Sequence, residues 1–225
     1  HGSLLFAIGS AANNTQALTP VVLNKISIGS QLTTGKQLSN RVFVNPLVYS
    51  FRASAMKVAI TGASGFIGRE VVKHIAAQGH QVVAIVHKNA LDEWRDRQNI
   101  STAICNLEST NSLSKALVGC DTVIHLAAIM GGEKSYQKTL KITTRLLEAM
   151  AEENVSKLIH CSSISILDYA KRTAMDSIDE QTPINENDDE LGDYAKTKRD
   201  QEALVAQWYS PDKSLCIFRP GLVYS

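Results

Sequence analysis

Acidic residues are missing from the first 55 positions of this 225-residue chain, which carry four bases (Lys25, Lys36, Arg41 and Arg52). Taking those four from the 23 basic residues leaves 19, against 22 acidic ones, from Met56 onward, so the chain is two compositional pieces. No CxxC pair occurs among the four cysteines, Cys105, Cys120, Cys161 and Cys216. That absence argues against a zinc site or a dithiol motif, so no metal is expected and the thiols read as reduced and structural. No apolar run approaches the ~20 residues that cross a bilayer, and Leu4 to Ile8 is too short for a signal-peptide core. Nor is there an excess of charge: a net charge of +1 gives no footprint for nucleic acid or an anionic membrane. No internal repeat or low-complexity stretch is present. What remains is 44% hydrophobic content, enough for one buried core and something extra.

Residues 1–55 are rich in Ser, Thr, Asn and Gln, with apolar patches at Val21–Leu23 and Val42–Tyr49. Acid-poor, hydroxyl-rich composition suits an organellar transit peptide. The tail of a preceding β-rich domain, or sequence upstream of a true start at Met56 with His-Gly-Ser as a tag remnant, suits it too. The last two are preferred, because Met56 directly precedes the first strand. The expected location is then cytoplasmic, and organellar only if residues 1–55 are a genuine transit peptide.

The most informative stretch is Met56-Lys-Val-Ala-Ile-Thr-Gly-Ala-Ser-Gly-Phe-Ile-Gly68. An apolar strand runs into Gly62, Gly65 and Gly68, and an amphipathic helix follows through Val71, Val72 and Ile75. Unpaired amides and the dipole of a helix N-terminus favour an anion. Gly62 permits the turn, Gly65 admits a pyrophosphate against the backbone, and Gly68 lets the helix pack close to the sheet. A glycine-rich turn without a ligand is the plainer alternative, and the strand before and helix after it weigh against that.

From Met56 the pattern alternates. Strands are expected at 57–61, 81–87, 100–105, 122–127, 157–162 and 214–218, and helices near 65–78, 90–97, 110–118, 134–153 and 194–208. This predicts right-handed βαβ units in a doubly wound parallel sheet, a Rossmann fold over 56–225 with an irregular N-terminal extension over 1–55. Leu167 to Asp193 reads as a long acidic loop, either in contact with substrate or a solvated charged face.

Tyr194 and Lys198 are four apart and share one helical face. An ammonium beside a phenol stabilises the phenolate and readies it for general acid–base work, although the same spacing also occurs in ordinary surface pairs. Lys157-Leu-Ile-His-Cys-Ser-Ser163 reads as a buried strand ending in hydroxyls at its carboxyl edge. His125 and His160 lie within apolar strands and read as packed core residues, and Trp94 and Trp208 as packed helix residues.

Together and in this order, Thr61-Gly-Ala-Ser-Gly-Phe-Ile-Gly68, Asp121-Thr-Val-Ile-His-Leu-Ala-Ala128, the Ser163 strand end, Tyr194/Lys198 and Phe218-Arg-Pro-Gly-Leu-Val-Tyr224 resemble the extended short-chain dehydrogenase/reductases. The likeness covers Met56 to Ser225 and is closest to the NAD-dependent epimerase/dehydratase branch. It implies an enzyme in which Tyr194 transfers the proton, Lys198 tunes it and holds the nicotinamide ribose, and Ser163 orients the reacting oxygen. It implies NAD or NADP held by Gly62, Ser64, Gly65, Phe66, Ile67 and Gly68 at the pyrophosphate. His87, Lys88, Asn106, Leu107, Ala127 and Ala128 would lie along the adenosine side, and Pro220 and Gly221 near the nicotinamide.

Departures from the family pattern narrow the reading. Val86-His87-Lys88 stands where NAD-preferring members carry an acid, which leans toward NADP. Asn106 replaces the usual adenine-side Asp, and Thr139 the usual helix asparagine of a proton relay. Ile164 and Ser165 replace the acid that dehydratases need, so dehydration is disfavoured. Epimerisation or reduction of a nucleotide-sugar carbinol or carbonyl is the reading. The alternatives are a ketone or alcohol reductase of the dihydroflavonol-reductase or hydroxysteroid-dehydrogenase type, or a non-catalytic dinucleotide-binding sensor. The family commonly dimerises through the helices corresponding to 134–153 and 194–208, which implies a homodimer. Most of the family's substrate lobe follows the position of Tyr224, so a domain truncated before that lobe is expected.

Overall fold

The computed structural model describes residues 54–88, 91–131, 134–169 and 178–224. The expectations on residues 1–53 lie outside the described residues. Six parallel strands form the sheet: β1 (Lys57–Thr61), β2 (Gln81–Val86), β3 (Ile100–Ile104), β4 (Thr122–His125), β5 (Lys157–Cys161) and β6 (Ser214–Phe218). Their spatial order is β3-β2-β1-β4-β5-β6, the doubly wound arrangement. Val58, Ala59 and Ile60 of β1 are wholly buried, because a central parallel strand is covered on both faces and so must be continuously apolar. The edge strands β3 and β6 leave Ile104 and Cys216 exposed.

Among the described residues four α-helices cover the sheet: α1 (Phe66–Ala77), α2 (Thr110–Leu117), α3 (Ser135–Glu152) and α4 (Asp193–Trp208). The main core joins Ala59, Val83, Ile85, Val123 and Leu158 of the sheet to Leu113 and Leu117 of α2, Leu146 and Met150 of α3, and Val205 of α4. Alternate strand residues point the other way, where α1 meets β1 and β2 through its buried side, Val71, Val72 and Ile75. The chain switches faces between α1 and α2, so the strand order reverses between β1 and β4. In a doubly wound sheet a ligand binds outside the carboxyl ends of the strands at that reversal.

One expected element is corrected. The helix read over 90–97 is a single 3₁₀ turn at Asp92–Trp94, with Asn89 and Ala90 outside the described residues. Its only buried residue is Trp94, and one aromatic among charges supplies no apolar stripe to hold a longer helix.

Candidate active site

The glycine turn lies at the carboxyl end of β1. Gly62 has φ +69°, and a Cβ there would stand 2.9 Å from the backbone nitrogen of Ala127, just past β4. A Cβ on Gly68 would overlap Gly62 O and come within 2.8 Å of Ala63 Cα. The turn therefore packs directly on the end of β4, and α1 packs directly on the turn. Gly65 N donates to Gly62 O (3.0 Å) and Gly65 caps α1 with no side-chain hydrogen bond. Ser64, Gly65 and Phe66 are exposed and Ile67 is half-buried around this helix start. Such a start offers amides and a dipole to an anion, and the glycine cradle fits a dinucleotide pyrophosphate.

His87 and Lys88 are exposed directly after β2. Asn106 and Leu107 follow β3, with Asn106 exposed and its Oδ1 accepting from Glu108 N (3.0 Å). One lone pair of that oxygen is thus already used. Ala127 is buried and Ala128 half-buried beyond β4.

At the end of β5, Ser162 N donates to Phe218 O (2.9 Å) and Ile164 N to Pro220 O (3.2 Å), which brings Pro220 beside the Ser163 segment. Ser163 Oγ accepts from Ser165 N (3.2 Å) and from Ser165 Oγ (2.9 Å), so its own proton is free to point elsewhere. A 3₁₀ turn, Ile164–Ile166, packs on α4. Tyr194, in the first turn of α4, is exposed, whereas Lys198 one turn later is buried at 3% exposure. Lys198 Nζ donates to Cys161 O (2.7 Å) and Gln201 Oε1 (2.8 Å). Burial pushes this ammonium below the ordinary lysine range, and Cys161 and Glu202 pull the other way. The chain thus brings Ser163, Tyr194, Lys198 and Pro220 to the carboxyl ends of β5 and β6, and the glycine turn to the adjoining end of β1.

Two groups escaped the sequence reading. Gln201 is wholly buried, and its Nε2 donates to Thr143 Oγ1 (2.8 Å) and lies 3.0 Å from His125 Nε2. Glu202 is buried and accepts from Arg219. Their spacing of three and four from Lys198 places them on its face of α4, which is the signal that was available. His125 and His160 are buried as expected. Desolvation, with Lys198 nearby, pushes His125 down to about 3, and desolvation together with His125 pushes His160 to about 2. Asp188 of the acidic loop binds Lys196 (2.5 Å) and Arg199 (2.7 Å) of α4. Asp176 of that loop lies outside the described residues.

The model of the NAD-dependent epimerase/dehydratase family matches residues 58–225. The chain belongs to that family. Among solved structures, a UDP-glucuronic acid 4-epimerase from Bacillus cereus in complex with NAD is 28% identical, with TM-score 0.62, over 75% of this chain and 57% of that one. A quinoline-oxide ketoreductase of Stigmatella aurantiaca is 24% identical over 75% of this chain and 51% of its own length. A decarboxylating sterol-4-alpha-carboxylate 3-dehydrogenase of Dictyostelium discoideum is 25% identical over 66% and 47%. This epimerase/dehydratase family member thus spans about half the length of the curated relatives it matches. No helix among the described residues is long and apolar enough to cross a membrane.

Proposed function

We propose that the chain is the dinucleotide-binding part of an NAD(P)-dependent epimerase or reductase acting on a nucleotide-sugar carbinol or carbonyl. What supports this reading is the glycine cradle at the end of β1 together with Lys198 anchored on Cys161 O, two residues before Ser163, with Tyr194 one helical turn earlier on α4. The cofactor would rest its pyrophosphate on Gly62 to Gly68, its adenosine near Asn106, Leu107, Ala127 and Ala128, and its nicotinamide near Pro220 and Gly221. Bound nicotinamide supplies or removes a hydride. Ser163 Oγ, already accepting from Ser165, would donate its proton to the substrate oxygen. Tyr194 Oη would give or take the proton of that same oxygen, with the Lys198 ammonium one helical turn away. The lack of an acid at Ile164 and Ser165 removes the group a dehydratase needs, which supports a reaction limited to hydride and proton transfer.

His87 and Lys88, two side chains able to carry positive charge and with no carboxylate beside them in the sequence, favour a 2′-phosphate and hence NADP. A homodimer through α3 and α4 belongs to the same reading and would show as a doubled mass in sedimentation velocity. A ketoreductase is the second reading, favoured by the ketoreductase and sterol dehydrogenase relatives.

The test incubates the full chain with NAD or NADP and UDP-glucuronic acid, following reduced-nicotinamide absorbance and separating the sugar-nucleotide products. Turnover abolished by Tyr194→Phe supports the proposal. Tight NADH binding with UDP-glucuronic acid and a panel of ketones unchanged leaves the dinucleotide-binding part in place and withdraws the support for a nucleotide-sugar substrate; failure to bind NADH or NADPH overturns the proposal.

A further inference from the structure

A chain of buried hydrogen bonds crosses the interior from α4 to β1. Lys198 Nζ spends two of its three donors, on Cys161 O (2.7 Å) and Gln201 Oε1 (2.8 Å). An ammonium only donates, so Gln201 must turn its oxygen toward Lys198 and its nitrogen away. That nitrogen donates to Thr143 Oγ1 (2.8 Å) and Ala127 O (3.2 Å) and lies 3.0 Å from His125 Nε2. The His125 ring is itself within hydrogen-bond distance of Thr143 Oγ1 through Nε2 (3.0 Å) and of Thr61 Oγ1 through Nδ1 (2.7 Å), so it joins α3 to β1. Thr143 passes its own proton to Thr139 O (3.0 Å). Thr61 is the last residue of β1, one position before Gly62.

Gln201 is 0% exposed. A buried amide is costly unless it is bonded, and a leucine would fill such a site without that cost. The amide is bonded at both ends, and one end holds the head of a four-carbon stem that otherwise has many rotamers. Thr139, which stands in place of the asparagine expected at that helix position, accepts from Ile129 N (3.0 Å). Lys198 thus takes its side-chain anchor from its own helix. We propose that Gln201 is a positioning residue for Lys198: its amide, oriented by Thr143 Oγ1 and Ala127 O, holds two-thirds of the ammonium's bonding in place together with Cys161 O and leaves one N–H for the crevice. The functional sense of this inference rests on the reading of Lys198 given above, whereas the coupling of Gln201 to Lys198 can be tested without any substrate.

The charged or titratable groups around Lys198 are Cys161 and His160 from β5, His125 from β4, and Tyr194 and Glu202 from α4, with Arg219 beyond β6 paired to Glu202. Only a change at Gln201 alters the bond to Nζ directly. The experiment labels lysine Cε with carbon-13 in the full chain and follows each resonance against pH, with Lys198 assigned as the signal lost in Lys198→Met. Gln201→Glu retains the contact and adds a negative charge, so the Lys198 midpoint should rise by about one to two pH units. Gln201→Met removes the acceptor, so the midpoint should fall. A Gln201 that serves packing alone would lower the melting temperature in both variants and leave the Lys198 midpoint where it was, which overturns the proposal. If either variant does not fold, nuclear Overhauser contacts between the Lys198 ammonium and the Gln201 side chain decide the matter in the unsubstituted protein. Their presence supports the proposal and their absence overturns it. Opposite shifts in the two variants, in a protein that turns over nothing, would sustain the positioning and sink the enzymatic reading alone.

Discussion

Arg219, the residue after β6, donates from Nε (3.1 Å) and Nη2 (2.5 Å) to the two carboxylate oxygens of Glu202 on α4. The pair ties the strand end that carries Pro220 to the helix that carries Tyr194 and Lys198. Glu202 keeps 6% of its side chain exposed and Arg219 keeps 25%, so the carboxylate has little water to fall back on. Its presence holds the guanidinium above the usual arginine range. Arg219→Met leaves a buried charge unpaired and should cost about 2–3 kcal/mol in urea unfolding, less than a fully buried pair because Arg219 is partly solvated. Adding Glu202→Leu should restore most of that loss. A double variant no more stable than Arg219→Met alone would contradict the pairing.

Gly68→Ala should damage the cofactor turn, and Gly79→Ala should not. The new methyl at 68 overlaps Gly62 O, whereas at Gly79 nothing lies within 4 Å. Overpacking of this kind costs about 1–3 kcal/mol and pushes the glycine turn off the end of β4. The φ of +86° at Gly79 costs alanine about 1–2 kcal/mol with no effect on the turn. Thermal unfolding and NADH fluorescence titration separate the two: both variants lose stability, and only Gly68→Ala loses cofactor affinity.

Acid should destabilise the fold before most carboxylates titrate. His125 and His160 are held neutral down to about 3 and about 2, against 6.5 in an open chain, and desolvation is the main cause in both. Below 6.5 the unfolded chain binds protons that the folded one refuses. Stability is therefore complete above 6.5 and is lost as the pH falls toward 3. The slope from each imidazole approaches about 1.4 kcal/mol per pH unit. His160→Leu should halve the slope between about pH 6 and 5 in chemical denaturation. An unchanged slope would show that these rings are not the source.

Lys88→Asp tests the lean toward NADP. An acid directly after β2 repels a 2′-phosphate and accepts from ribose hydroxyls. NADPH should bind about tenfold more weakly and NADH should not suffer. Equal losses for both cofactors would mean that Lys88 does not face the 2′ position.

The sheet was legible because β1, β2, β4 and β5 are continuously apolar and the glycine turn punctuates the first of them. Strand and helix order then dictates that Ser163 and Lys198 arrive at the same edge, since parallel strands all end on one side. The segment around Trp94 misled because one aromatic among charges at helical spacing imitates an amphipathic turn. The Gln201 link was invisible for a different reason. His125 and Gln201 are 76 positions apart, and no local pattern distinguishes a histidine hydrogen-bonded to a buried amide from one that merely packs. Burial could be read from the apolar neighbours of His125, but its polar partners come from α3, α4 and β1.

The pairing of β1 with β4 joins residues 64 positions apart, with Lys57 N held by Asp121 Oδ2 at 2.7 Å. Contacts of such long sequence separation must overcome loop closure before they gain anything, so they form late. The crevice exists only once this pair has closed, and so it is among the last features to appear during folding. A dinucleotide would find no seat in the folding transition state. It should therefore slow unfolding in proportion to its occupancy and leave the rate of folding almost unchanged.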